Sequence, residues 1–276
     1  MTQAIHTLSS IKSPLRYPGG KSRAIKFLGQ FIPHDFKEYR EPFFGGGSIG
    51  FYIAQQRSGM KLIANDLNYE LYCFWDCLQN NHINLIRGVE ELRQKFESGR
   101  DLYDFLIARR NSDLSPLQRG IDFFILNRIT FSGVVDSGGY SQKAFEGRFT
   151  QSCIDRLIES HSIITNFEFH AEDFEGIIKR KGDSVFMFLD PPYYRASKSK
   201  LYGKKGILHT SFNHEALHRV LCKTNHRFLL TYDDSEYIRH LYKDFCVIEW
   251  DLQYGMNNYK QGRASKGKEL LISNYL

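Results

Sequence analysis

The chain has 276 residues, 42% hydrophobic and 25% charged, ample for the core of one large domain or two small ones and too apolar for a disordered chain. No apolar run approaches the ~20 residues of a membrane helix, mean hydropathy is −0.42, and residues 1–12 lack a cationic head followed by an apolar stretch, so a cytoplasmic protein is expected. Cys73, Cys77, Cys153, Cys222 and Cys246 are scattered and point to neither a disulfide framework nor a zinc site, while a net charge of +6 tilts the molecule toward polyanions without choosing a partner.

In chain order, residues 38–66 read as strand, glycine turn, helix and strand: EYREPFF, GGGSIGFYIAQQ and KLIAND. This is the opening of an α/β unit. Residues 81–162 switch to helical periodicity, as in INLIRGVEELRQKF and LQRGIDFFILNRI, the latter begun by Ser115 as N-cap and Pro116 at the first helical position. Within them FSGVVDSGGYSQKAFEGRF, broken by Gly133, Gly138, Gly139 and Gly147, predicts a hairpin or long loop displaying basic and aromatic side chains. The α/β pattern then resumes. SVFMFLD is a continuous apolar run ending in an acid, as a central parallel strand buried on both faces requires; NHEALHRVLCK with Asn213 as N-cap, RFLLTYDD, SEYIRHLYK, FCVIEWDL and ELLISNYL alternate helix and strand to the end. The expected architecture is a doubly wound, Rossmann-like α/β core built from residues 1–74 and 166–276 around an inserted, mostly helical domain, residues 75–165. Ligands of such sheets bind beyond the C-terminal strand ends. Two segments read as basic loops: Arg195, Lys198, Lys200, Lys204 and Lys205, and Lys260, Arg263, Lys266 and Lys268.

Three motifs carry chemistry. Gly45-Gly46-Gly47-Ser48-Ile49-Gly50 satisfies G-x-G-x-x-G, and Asp66 ends the following strand; such glycines allow close backbone approach to a ligand, and such an acid accepts both hydroxyls of a ribose. NAD and S-adenosylmethionine both carry that ribose, and a purely structural glycine turn is the plainer alternative. Arg40, Glu41 and Pro42 replace the apolar strand usual in nicotinamide folds, and Glu41 reads as an anion facing a cationic sulfonium or ammonium. Gly20-Lys21-Ser22 imitates the end of a P-loop, but Leu15 stands where that motif needs glycine and the preceding segment is polar. The most informative motif is Asp190-Pro191-Pro192-Tyr193, directly after the apolar strand. An exocyclic amine on an aromatic base is a poor nucleophile because its lone pair is delocalised into the ring. One acceptor on each N–H, the Asp190 carboxylate and the Pro191 carbonyl, favours pyramidal nitrogen, and Tyr193 offers a face for the base; catalysis of this kind is mainly positioning and electrostatics.

Taken together and in this order, RYPGGK, EPFFGGGS, DPPY and the closing GKELLISNYL resemble the Dam-like (D12 class, alpha group) adenine-N6 DNA methyltransferases over almost the whole chain. The resemblance implies a site-specific enzyme that moves a methyl group from S-adenosylmethionine to N6 of a flipped-out adenine in duplex DNA, leaving S-adenosylhomocysteine. It implies that Asp190, Pro191, Pro192 and Tyr193 form the catalytic tetrapeptide. It also implies that Tyr17, Lys21, Glu41, Phe43, Gly45, Gly47, Asp66, Asp173, Phe174 and Asp190 hold the cofactor, Asp66 at its ribose and Asp173-Phe174 at its adenine. The insert, including Asn127 to Gly133, corresponds to the target-recognition domain. Arg16, Arg128, Ser132, Tyr140, Lys143 and Arg148 are the candidate base contacts, and Lys198 and Lys200 the candidate phosphate contacts, with no metal. Tyr17 stands where the family commonly has tryptophan, and Gly46 where a larger residue or alanine is usual. A monomer is expected, with a cognate restriction endonuclease as candidate partner. Two other readings compete: a non-catalytic DNA-binding relic of the fold, for which the intact Asp190-Pro191-Pro192-Tyr193 has no use, and a nicotinamide oxidoreductase, which leaves the same tetrapeptide unexplained.

Overall fold

The computed structural model describes residues 11–57, 59–194, 212–253 and 266–276. Arg195, Lys198, Lys200, Lys204, Lys205, Lys260 and Arg263 lie outside the described residues. Strands β1 (Glu38–Glu41), β2 (Lys61–Asn65), β3 (Phe167–His170), β4 (Val185–Leu189), β5 (Arg227–Asp233), β6 (Cys246–Gln253) and β7 (Lys266–Ser273) form one sheet in the order β3-β2-β1-β4-β5-β7-β6. The first five run parallel, and β7 inserts antiparallel to both its neighbours. The strand order reverses between β1 and β4, the switch point at which doubly wound sheets open a crevice beyond their C-terminal ends.

Eleven α-helices stand among the described residues: α1 (Ile25–Leu28), α2 (Ser48–Gln56), α3 (Tyr69–Asn80), α4 (His82–Lys95), α5 (Gly99–Arg109), α6 (Pro116–Ile129), α7 (Gln142–Arg148), α8 (Gln151–Ile164), α9 (Phe174–Lys179), α10 (His214–Leu221) and α11 (Glu236–Leu241). The predicted caps are in place. Ser115 closes a reciprocal capping box with Gln118, Pro116 opens α6, and the Asn213 side chain accepts from the amide of Ala216.

Side-chain alternation along β4 splits the core in two. Phe186 and Phe188 point into a large cluster that runs through Phe44, Trp75 and Phe124 to Ile154 and Leu157. Val185, Met187 and Leu189 point the other way, against Leu217, Leu230, Ile238 and Leu270. The helices of the insert therefore share a continuous core with one face of the sheet, and α3 runs straight through positions 74 and 75, where the sequence pattern places the edge of the insert. α6 is buried over nearly its whole length because other helices surround it.

Two expectations are corrected. The stretch read as a hairpin or long loop closes with one antiparallel bridge between Thr130 and Tyr140, but its second half is neither: Ser141 caps α7, whose helical register is carried by Gln142 to Arg148. Glycine breaks only the first half of that stretch, and Gly147 is absorbed into the helix. Lys266 and Lys268 belong to β7, opposite Gln253 and Asp251, rather than to a basic loop, because the hairpin partner supplied by β6 extends the strand beyond its apolar part.

β1 is buried throughout in spite of its sequence, Glu-Tyr-Arg-Glu. The charge of fully buried Arg40 is matched by Glu38, whose Oε1 lies 2.6 Å from Nε. The remaining Arg40 donors reach the carbonyls of Ile177, Arg180 and Lys181, at and just past the end of α9. A cation thus satisfies carbonyls that a helix terminus leaves over, and it ties α9 to the strand that carries the glycine turn.

Candidate active site

The glycine turn is shaped by its neighbours as much as by its own sequence. Gly45 and Gly47 adopt φ of +49° and +67°, and a Cβ would fall 2.7 Å from the Tyr17 ring at Gly45 and 2.5 Å from the Phe44 ring at Gly47. Only glycine combines that backbone with that closeness. Two further contacts pin the turn: the Gly45 amide donates to Asp66 Oδ2 at 2.8 Å, and its carbonyl accepts from Trp75 Nε1 at 3.1 Å. Buried Asn65 joins the ends of the strands, donating to the carbonyls of Pro42 and Glu172 and accepting from the Glu172 amide.

A cleft of about 620 Å³ opens at the switch point, and all of Tyr17, Lys21, Glu41, Phe43, Gly45, Gly47, Asp66, Asp173, Phe174, Asp190, Pro191, Pro192 and Tyr193 line it. Residues up to 176 positions apart in the chain are thus brought to one surface. Phe43, Phe174 and Phe212 make an aromatic wall, with ring centroids 5.5–5.6 Å apart. Asp173 also caps α9, accepting from the Glu175 amide at 2.8 Å.

Three of the carboxylates that line this cleft, Asp66, Glu41 and Asp190, stand at its strand ends. Asp66 accepts from the amides of Gly45 and Asn68; burial nevertheless pushes its carboxyl up to about 6, against the pull of both amides. Burial also holds Glu41 well above the usual carboxylate range, aided by repulsion from Asp190 and Asp66 and opposed by hydrogen bonds from Tyr39 Oη (2.8 Å) and the Gly50 amide. Such repulsion is relieved by a cationic ligand.

Asp190, at the end of β4, is held on several sides. Lys21 Nζ, on a side chain only 3% exposed, lies 2.8 Å from Oδ1 and 2.9 Å from Oδ2, and Thr231 Oγ1 on the neighbouring strand donates to Oδ1 at 2.7 Å. The same ammonium sits 5.0 Å from the centroid of the Tyr193 ring and donates to the Gly19 carbonyl. Gly20-Lys21-Ser22 thus opens a short 3-10 turn that delivers a lysine to a carboxylate. A carboxylate offers about four acceptor positions, so Asp190 keeps capacity for one more donor on the cleft side.

Among the described residues, none of the candidate DNA contacts lines this cleft. The Arg16 backbone is clamped by Asn127, which accepts from its amide at 3.0 Å, donates to its carbonyl at 2.8 Å and also donates to the Gly133 carbonyl. Ser132, between them, has φ of +56°, a strained conformation for a residue with a Cβ. Tyr140 lies under Arg100, 4.8 Å from its ring centroid, Lys143 and Arg148 are exposed on α7, and Arg128 is buried. Pattern reading missed Thr231, Trp75, Phe212 and Phe131. Thr231 had a signal, a lone hydroxyl inside the apolar run RFLLTY; Phe131, 59% exposed at the turn, stands out only once its neighbours are seen to be buried.

The sheet order with its antiparallel seventh strand, the glycine turn after β1 and the Asp-Pro-Pro-Tyr turn after β4 define a methyltransferase-type α/β fold. Residues 17–256 match the family model of the D12 class N6 adenine-specific DNA methyltransferases, and the chain belongs to that family. Among similar proteins, a type II methyltransferase, M.MjaIII of Methanocaldococcus jannaschii, is 25% identical over 96% of this chain and 99% of its own length. M1.LlaDCHI of Lactococcus lactis subsp. cremoris is 25% identical over 94% of both chains, and M.CviBI of Paramecium bursaria Chlorella virus NC1A 23% identical over 96% and 100%. The chain is accordingly a DNA methyltransferase acting on adenine N6, with DNA as substrate and a methyl donor required, in place of the nicotinamide reading of its glycine turn.

Proposed function

We propose that the protein is a site-specific duplex-DNA methyltransferase that binds S-adenosylmethionine in the switch-point cleft and acts on a flipped-out adenine. The observation that carries this reading is the convergence of Asp190, held by Lys21 and Thr231, with the acids Glu41 and Asp66 and the Phe43–Phe174–Phe212 wall on one cleft. The residues fit the group: a net-negative pocket suits a sulfonium, and the aromatic wall suits an adenine ring. When bound, S-adenosylmethionine supplies an electrophilic methyl group.

In this reading Asp66 accepts the ribose hydroxyls with the lone pairs that its two amide partners leave. Phe43 and Phe174 form the aromatic wall against which the cofactor's adenine packs beside Asp173, and Tyr17, Gly45 and Gly47 shape the floor. Asp190 and the Pro191 carbonyl each accept one N–H of the target amine, and the proton leaves after transfer toward the Asp190 side. Lys21 keeps the Asp190 carboxylate aimed, a positioning role in place of direct cofactor contact. Residues 75–165 supply DNA recognition through Ser132, Tyr140, Lys143 and Arg148, joined by Arg16 from the segment ahead of the glycine turn, with exposed Phe131 wedging into the base stack where the adenine leaves. Lys198 and Lys200 are proposed phosphate contacts. The enzyme is read as a cytoplasmic monomer, and the type II designation of its relatives suits a partner restriction endonuclease.

Base mapping of DNA exposed to the protein tests the reaction: N6-methyladenine at one short sequence is expected, and unmodified DNA overturns it. Asp66 adds a pH dependence. Its folded carboxyl titrates near 6, and only the ionised form has free lone pairs for both hydroxyls, so affinity for S-adenosylmethionine is full above that pH and falls as pH drops through it. Titration calorimetry from pH 5 to 8 should show that fall in the wild type, and Asp66→Ala should bind about tenfold or more weakly, as loss of roughly 1.5–3 kcal/mol implies, with a flattened profile. Tyr193→Phe should keep most activity, whereas Tyr193→Ala should lose about 10- to 100-fold in kcat/KM, the worth of one stacked base. The Ala defect should shrink on a mismatched target adenine, which is extruded more easily. A Phe variant as damaged as Ala removes stacking as the role of Tyr193.

A further inference from the structure

Four arginines from four parts of the chain meet behind the strained turn at Ser132: Arg16 ahead of the cleft, Arg128 in the last turn of α6, Arg148 at the end of α7 and Arg156 in α8. Arg128 is 4% exposed, and its Nε and Nη2 make no hydrogen bond; nor does the buried Nη1 of Arg16. Burial first, and then the guanidiniums of Arg16, Arg156 and Arg148, bring Arg128 down to about 10, against the opposing pull of Cys153. Cys153 is itself pushed up by burial and stays neutral near pH 7. Arg16 is lowered by burial and by Arg148. No carboxylate is among these influences, and the Phe124 ring lies 5.3 Å from the Arg128 guanidinium.

A buried cation with orphaned N–H groups and like-charged neighbours is unfavourable in the free protein. The other buried cations among the described residues are matched by acids, Lys21 by Asp190 and Arg40 by Glu38, as is the partly buried Arg110 by Glu70 and Asp136. An anion that arrives with a ligand would complete this set. The cofactor is not its source, because none of the four arginines lines the cleft. Duplex DNA brings full negative charge only at its phosphates, and guanidinium forks match phosphate oxygens in geometry as well as charge. Base edges, in contrast, are read by single exposed side chains.

We propose that Arg16, Arg128 and Arg148, with Arg156 adding charge, form one binding site for a DNA backbone phosphate rather than three separate base contacts, an inference that rests on the DNA-methyltransferase reading above. The Asn127 clamp on Arg16 and Gly133 makes this phosphate the reference point from which the turn carrying Phe131 and Ser132 is held against the duplex.

The test is equilibrium binding by fluorescence anisotropy, with S-adenosylhomocysteine present, to a duplex carrying the sequence found by base mapping. Arg128→Met should unfold at the same temperature as wild type or higher, since it removes an unmatched charge. It should bind DNA more weakly, with the slope of log K against log salt reduced in magnitude by about 0.9 and the modified sequence unchanged. Arg148→Gln, on an exposed residue, should shift the slope in the same direction and serves if Arg128→Met fails to fold. A single neutral methylphosphonate walked along each strand should weaken the wild type at one position and leave the Arg128 variant indifferent there. Wild-type slope in both variants, a changed recognition sequence without a methylphosphonate footprint, or a melting response to inorganic phosphate with no footprint on DNA would each overturn the proposal. Methylation of DNA by a wild type that shows no such footprint removes the phosphate site alone; a wild type that neither methylates nor binds DNA removes the underlying reading as well.

Discussion

Asp190→Asn should leave folding intact and cut single-turnover methylation by at least about 100-fold, the scale on which one preorganised electrostatic partner of a transition state acts. The argument is a count of donors and acceptors. In the wild type Lys21 Nζ approaches both carboxylate oxygens and Thr231 Oγ1 donates to one of them. An asparagine has a single acceptor oxygen, and two fixed donors claim it. Its amide nitrogen is then turned toward the cleft, where it meets the N–H of the incoming amine donor against donor. Asp190→Ala should be as inactive, since it too leaves the amine without its acceptor. Affinity for S-adenosylmethionine, measured by calorimetry, should change by less than the rate does, because the lost contact is made to the reacting amine. An Asn variant that turns over at near the wild-type rate would remove Asp190 from the chemistry.

The second large effect concerns stability. Arg40→Met should cost about 3–5 kcal/mol, the usual result of stripping one partner from a buried ion pair. It leaves Glu38 charged and buried and also orphans the carbonyls of Ile177, Arg180 and Lys181. Replacing Glu38 with Leu in the same chain should recover part of that loss but not all, because the carbonyls remain unmatched. Urea unfolding of the two variants separates these contributions. Equal stability of Arg40→Met and wild type would show that the pair is dispensable and that β1 is held by its parallel neighbours alone.

Much of the molecule was legible in local pattern. The continuous apolar run before Asp190 could only be a strand buried on both faces, and it is the one whose alternate side chains feed both cores. Ser115-Pro116 and Asn213 marked helix starts because a cap is satisfied within four residues and needs no distant partner. The glycine turn, the acid after β2 and the Asp-Pro-Pro-Tyr tetrapeptide were visible for the same reason. Each is a short segment whose conformation or chemistry its own residues dictate.

What depended on residues far apart in the chain was decided by the tertiary structure. EYREPFF reads as a strand but carries three charges in its first four residues, and EYRE is buried at the centre of the sheet because Arg40 finds carbonyl acceptors more than 130 positions away. Lys21 sits in a segment that imitates a P-loop, and only the packing of residues 17–21 against β4 turns its ammonium onto Asp190. The segment before Arg148 carries enough glycine to read as a loop, but docking beneath α6 makes its second half a helix. Residue identity and local spacing therefore determined which chemistry this chain could perform, because those properties travel with the segment. Burial, pairing and the meeting of Asp190 with Lys21 and Thr231, or of four arginines with no acid between them, arise only when the folded chain removes water from around charges and leaves each one with whatever partner the packing provides.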